Sequence, residues 1–172
     1  MQTQADLRIQ EMAVVDGDGL DLAPAHSPAT LPSGSPLVAG LPAEEVADVV
    51  AAFDTQSFNA GHSVTLEGFR GRDFYLIVEG RAAVTIGGRR VAELGPGDFF
   101  GEVAVLREGL RSATVITETR LRCLVLSDDG LERLLVAHPR VGVNMLREVL
   151  GRFTDPAPER TTHAHAAELI GR

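Results

Sequence analysis

The hydrophobic period changes twice along the chain. After Leu37-Val-Ala-Gly-Leu-Pro-Ala-Glu-Glu, the residues Val46, Val49, Val50 and Phe53 recur at helical spacing. The stripe predicts an amphipathic helix over residues 42–53, packed by its apolar face against a sheet. Pro42 suits a first helical turn, and Glu44 and Glu45 complement the positive end of the helix. From Ser57 to Ser127 the apolar runs shorten and glycine interrupts them. Residues 64–67, 73–79, 81–86, 90–94, 111–117 and 121–126 read as strands, with turns at Asn59-Ala-Gly61, Gly68 to Gly71, Gly80, Gly87-Gly88 and Gly95-Pro-Gly97. Many short strands with regular turns predict a sandwich or barrel. After Ser127 the period is helical again. Leu131, Leu134 and Leu135 share one face of a short helix for which Asp128 or Asp129 serves as cap. Pro139 restarts the chain, and Val141, Met145, Leu146, Val149, Leu150 and Phe153 form a second stripe that Asp155-Pro-Ala-Pro158 ends. This stripe is wider than one face needs. Gly142 and Gly151 each weaken the helix by about 1 kcal/mol against alanine.

Composition bounds what such a fold can do. The chain has 172 residues and is 44% hydrophobic, enough for one domain with a core. Pro24, Pro28, Pro32 and Pro36 recur among small and polar residues, so residues 1–36 read as a flexible leader, residues 37–153 as the domain and residues 154–172 as a tail. The formal charge of -8 argues against a nucleic-acid surface and against an anionic membrane. All basic residues are arginine, which reads as genome composition. One cysteine, Cys123, excludes an internal disulfide and a cysteine-ligated metal. No apolar run spans a bilayer, and the first residues, with Asp6 and Glu11, lack the pattern of a signal peptide. The expected location is cytoplasmic.

One stretch carries the chemistry, Phe100-Gly-Glu-Val-Ala-Val-Leu-Arg-Glu-Gly-Leu-Arg-Ser-Ala-Thr-Val115. Glycine lets an anion approach the backbone, and free N–H groups at a helix start favour negative charge. Arg111 forks two hydrogen bonds onto a phosphate and does not lose its proton; Ser112 adds a hydroxyl. Ionised Glu102 only accepts, so it suits sugar hydroxyls and repels phosphate. Together they describe a receptor for a ribose phosphate.

These residues resemble the phosphate-binding cassette of cyclic nucleotide-binding domains, the family of the protein kinase A regulatory subunits and the catabolite activator proteins. The pattern is Phe-Gly-Glu, an apolar triplet, a variable turn, then Arg, a small residue, Ala and Thr. The Glu102 to Arg111 spacing is similar to that of the kinase-type cassette, and Phe74-Tyr-Leu-Ile-Val-Glu-Gly80 resembles the strand and turn before it. The resemblance covers residues 37–153. It implies a mainly β jelly roll (a double-stranded β-helix, or β-roll) of about eight strands, with one helix before it and two after. It implies a ligand set of Phe100, Gly101, Glu102, Val103, Ala104, Arg111, Ser112 and Ala113. Glu102 would hold the ribose 2′-hydroxyl and Arg111 the cyclic phosphate, with donors from Gly101 and Ser112. Cyclic AMP is the expected ligand, and Ser112 leaves cyclic GMP open. The C-terminal helices would repack over the base and pass the signal to a homodimer partner or a regulated protein. Only about twenty residues follow Phe153, too few for a helix-turn-helix, so no DNA binding is expected.

Other motifs carry less. Asp16-Gly-Asp18-Gly-Leu-Asp21 fails as a calcium loop, with Leu20 at the fifth position and Ser27 where the bidentate Glu belongs. His163 and His165 have no third ligand nearby, and His62 alone cannot build a cupin site. Gly95-Pro-Gly97-Asp-Phe-Phe-Gly101 departs from the dinucleotide fingerprint, and no nucleophile elbow is present. Asp98 and Glu102 flank an anion-loving helix start rather than a catalytic acid pair. No enzyme is expected. The alternative is a ligand-free module of the same fold that only docks a partner. Such a module would be expected to lose Glu102 or Arg111, because a desolvated charge without a partner is costly.

Overall fold

The two longest strands are buried on both faces, which is why their sequences show no alternation. The structure is a computed structural model that describes residues 31–32, 34–107 and 109–154, without the side chains of residues 153 and 154. Of the expected leader over residues 1–36, residues 1–30 and 33 lie outside the described residues, as do its acidic loop at residues 16–21 and the tail with His163 and His165, whereas Pro36 already opens the folded part. One antiparallel sheet runs β1 (Asp54–Phe58), β8 (Leu121–Ser127), β3 (Asp73–Glu79) and β6 (Phe99–Phe100). The other runs β2 (Ser63–Thr65), β7 (Thr114–Thr117), β4 (Ala82–Ile86) and β5 (Arg89–Leu94). A 3-10 helix (Pro36–Val38) and α1 (Ala43–Ala51) precede them. Helix α2 (Glu102–Leu106) lies between β6 and β7, and α3 (Asp128–Ala137) and α4 (Pro139–Thr154) follow β8. This is the expected mainly β jelly roll with helices at both ends.

Strand parity sorts the core into two layers. Phe74, Leu76 and Val78 of β3 face the helices with Phe99, Leu124 and Leu126, and pack on Leu37, Val49, Leu131, Val141 and Met145. Tyr75 and Ile77 face inward and meet Phe58, Phe100, Leu121, Cys123 and Val125 between the sheets. The adjacent Phe99 and Phe100 thus serve different layers.

Several boundaries differ from expectation for physical reasons. β1 was not anticipated, because Asp-Thr-Gln-Ser-Phe is a largely polar edge strand that buries only Phe58. β6 is two residues long, too short for a period. β7 begins at Thr114, not at residue 111, because Arg111 turns its side chain inward and Ser112 and Ala113 bend. The cap of α3 is Ser127, whose hydroxyl accepts from the Gly130 N–H at 3.2 Å. Asp128 instead accepts from Arg72 at 2.6 Å, and that guanidinium holds its carboxyl below the usual range. The wide stripe on α4 divides: Val141 and Met145 are buried, whereas Leu146 and Leu150 are 57% and 51% exposed. Asn144 of α4 is buried, and its amide donates to the carbonyls of Leu37 at 3.1 Å and Ala39 at 2.9 Å.

The roll interior predicts an alkaline weakness. Burial pushes the Cys123 thiol up to about 12 and the Tyr75 phenol up to about 12. Each keeps in the folded state a proton that the unfolded chain releases near pH 9 or 10. The unfolded state then binds fewer protons, so stability is full below about pH 9 and falls as pH rises toward 12. These are the chain's one cysteine and one tyrosine, and it has no lysine to confuse the window. Urea midpoints should drop between about pH 8 and pH 10.5, with phenolate absorbance appearing together with unfolding. Phenolate formation ahead of unfolding would contradict the burial argument.

Candidate ligand-binding site

The site begins where β6 ends. Gly101 has φ 88° and is the N-cap of α2. Its glycine is needed for space as well as for backbone: a Cβ there would lie 2.5 Å from the Asp73 carbonyl oxygen. Glu102 opens the helix and is 6% exposed; Val103 is half-buried and Ala104 buried. The chain then loops outward and returns at Leu110, which forms a lone β-bridge with Arg70.

Arg111 is 7% exposed. Its Nη1 donates to the carbonyls of Asp73 at 2.8 Å and Gly101 at 3.2 Å, so the end of the stretch closes on its beginning. The guanidinium carbon lies 5.8 Å from the Tyr75 ring centroid. Tyr75 faces Phe100 across the β3–β6 ladder, and the two rings stack at 4.8 Å and 10°. Ser112 and Ala113 are half-buried at the bend, where the Thr65 hydroxyl donates to the Ala113 carbonyl at 3.1 Å. Among the described residues no carboxylate lies within ion-pair distance of Arg111. A buried guanidinium held only by neutral carbonyls attracts an anion.

The Glu102 carboxyl is pushed up by burial and drawn back by Arg152, by its own backbone and by Arg111. Arg152, on the last turn of α4, donates from Nη1 to Glu102 Oε1 at 3.1 Å and from Nη2 to the Phe99 carbonyl at 2.9 Å. Its guanidinium carbon lies 4.3 Å from the Phe99 ring centroid. A cleft of about 820 Å³ is lined by Arg70, Gly71, Ala104, Leu106, Asp129 and Leu135. It shares Gly71 with the surroundings of Arg111 and Ala104 with the helix that Glu102 opens, but neither Glu102 nor Arg111 lines it.

The structure therefore gathers Phe100, Gly101, Glu102 and Arg111, with Val103 and Ala104 on the helix that follows and Ser112 and Ala113 at the bend. Two further residues were not anticipated. A Cβ on Gly71 would fall 1.9 Å from Arg111 Nε, so that guanidinium needs the bare backbone there. The sequence marks Gly71 only as part of a turn. Arg152 looks like any cation in the last turn of a helix.

Residues 55–138 match the family model of the cyclic nucleotide-binding domain. A cAMP-dependent protein kinase regulatory subunit from Yarrowia lipolytica is 40% identical over 102 residues, which are 58% of this chain and 27% of that protein. The crystal structure of Thermus thermophilus catabolite activator protein aligns with TM-score 0.65 and 32% identity, covering 69% of this chain and 58% of that one. The N-terminal domain of a transcriptional regulator from Streptomyces coelicolor A3(2) aligns with TM-score 0.55 and 30% identity, covering 68% of this chain and 85% of that one. The chain spans about a quarter of the length of the curated relatives it matches, 27% and 22% for two kinase regulatory subunits.

Proposed function

Because the chain belongs to the cyclic nucleotide-binding domain family, we propose that it is a non-enzymatic module sensing a cyclic nucleotide, first of all cyclic AMP. The observation that carries this reading is the buried Arg111, seated by two carbonyls and met by no carboxylate among the described residues. A cyclic phosphate supplies the missing negative charge and accepts from the remaining guanidinium donors. Backbone N–H groups at the start of α2, from Gly101 to Ala104, and the Ser112 hydroxyl add donors. Glu102 accepts from the ribose 2′-hydroxyl. Phe100 and Ala113 frame the two ends. The nucleotide draws in this cassette, and α4 closes over the base and passes the change to a second copy or a regulated protein.

Titration calorimetry with cyclic AMP, cyclic GMP and plain AMP tests the reading. Cyclic nucleotide should bind and AMP should not. At one hundred times the dissociation constant the ligand stabilises by about 2.7 kcal/mol, a melting shift on the order of 10 °C. Absence of any shift at millimolar cyclic nucleotide would leave a docking module instead. Amide exchange should slow across residues 145–153 on binding, where Leu146 and Leu150 are exposed, and change little across residues 74–86. Equal protection of α4 in both states would make it a static brace.

A further inference from the structure

We propose that Arg152 is an internal competitor for the carboxylate that takes the ribose: it occupies Glu102 in the unliganded protein, and the nucleotide has to displace it. This rests on the assignment of Glu102 to the sugar. Two observations on this chain carry it. The Arg152 and Glu102 side chains are 14% and 8% exposed while paired, and the guanidinium sits on Oε1, one of the two oxygens that a sugar hydroxyl could reach. The pairing is also incomplete. Arg152 Nε is buried without a hydrogen-bond partner among the described residues, whereas in water every donor of the guanidinium would be hydrated.

The contact therefore works as a latch on both sides. It keeps Glu102 compensated in a buried place, and it holds the end of α4 against β6 through the Phe99 carbonyl and ring. When a ribose hydroxyl takes the carboxylate, Arg152 leaves to solvent and the last turn is released to close over the base. The latch opposes the ligand, so part of the intrinsic affinity is spent on opening it.

The test is cyclic AMP calorimetry on the full chain, comparing wild type and Arg152→Gln under the same conditions. Glutamine keeps the stem and removes the charge and the fork. The variant should bind at least about five-fold more tightly, the lower end of typical coupling between sites. Its exchange across residues 148–152 should be faster than wild type without ligand. Arg152→Lys, which keeps the charge and loses the planar fork, should fall between the two and serves if the glutamine variant folds poorly. Equal affinities within two-fold would reduce Arg152 to a brace and overturn the proposal. Weaker binding by Arg152→Gln would overturn it too, by showing that Arg152 supports the bound state. Wild type that binds no cyclic nucleotide removes the sensing function itself, and this latch with it.

Discussion

Replacing Arg111 with alanine is expected to lower cyclic-nucleotide affinity roughly thirty-fold to a few thousand-fold. The range follows from about 2 to 5 kcal/mol for truncating one partner of a buried hydrogen-bonded charge pair. The side chain is 7% exposed, so the phosphate would lose a cation that water cannot replace. The substitution also strips hydrogen bonds from the carbonyls of Asp73 and Gly101. The Gly101 carbonyl keeps the Val105 N–H at 3.3 Å, whereas a buried acceptor left without a donor at Asp73 would cost about 1 to 3 kcal/mol in the free protein. Affinity and melting temperature should therefore fall together. Arg111→Lys separates the two effects, because it keeps the charge but reaches one acceptor at a time. Calorimetry gives the first quantity and thermal unfolding the second. An alanine variant that binds as wild type does would reassign the phosphate to another group.

Gly71→Ala should do nearly as much damage without touching a charged residue. A Cβ there would lie 1.9 Å from Arg111 Nε, 2.4 Å from Cζ and 2.6 Å from Nη2. These are not distances that a small relaxation relieves, and the guanidinium is tethered by its Nη1 to two carbonyls. The side chain must leave its seat. The backbone at Gly71 does not lie in the left-handed region, so alanine is excluded by space alone. Loss of affinity by at least about ten-fold is expected. The double variant with Arg111→Ala should lose little more than Arg111→Ala by itself, because both remove one interaction. Additive losses would show that Gly71 acts on something other than Arg111.

The contrast between these two residues explains how much the sequence reveals. The stretch from Phe100 to Val115 is read easily because its turn, helix start and returning strand are set by neighbours. Gly101 sits next to Glu102, and Arg111 follows ten positions later. Gly71 and Arg152 reach the same place from 40 residues upstream and 41 downstream of Arg111, and their types fit a turn and a helix end equally well. Their roles exist only after the chain has closed. The fold divides in the same manner. β3 over Phe74 to Val78 and β8 over Cys123 to Leu126 are apolar because both faces are covered, and their approximate bounds follow from that. The Asp54–Phe58 strand is held by its ladder with β8, and a polar edge leaves no pattern to detect. Ser127 was hidden behind two aspartates that satisfy the same cap rule, and Arg72 decides the matter by engaging Asp128.

Asn144 has a mechanical consequence. Its one amide grips two carbonyls of the segment around the 3-10 helix, so that segment and α4 are clamped like two links on one pin. Leu37 and Val141 belong to the same core cluster, which stiffens the joint. A tilt of α4 therefore carries Pro36–Val38 with it. A reporter or a second protein fused just before Pro36 would ride the same lever as one fused after Thr154. Under the proposed closure of α4, both ends of the domain would move together, and Asn144→Leu would free Pro36–Val38 from α4.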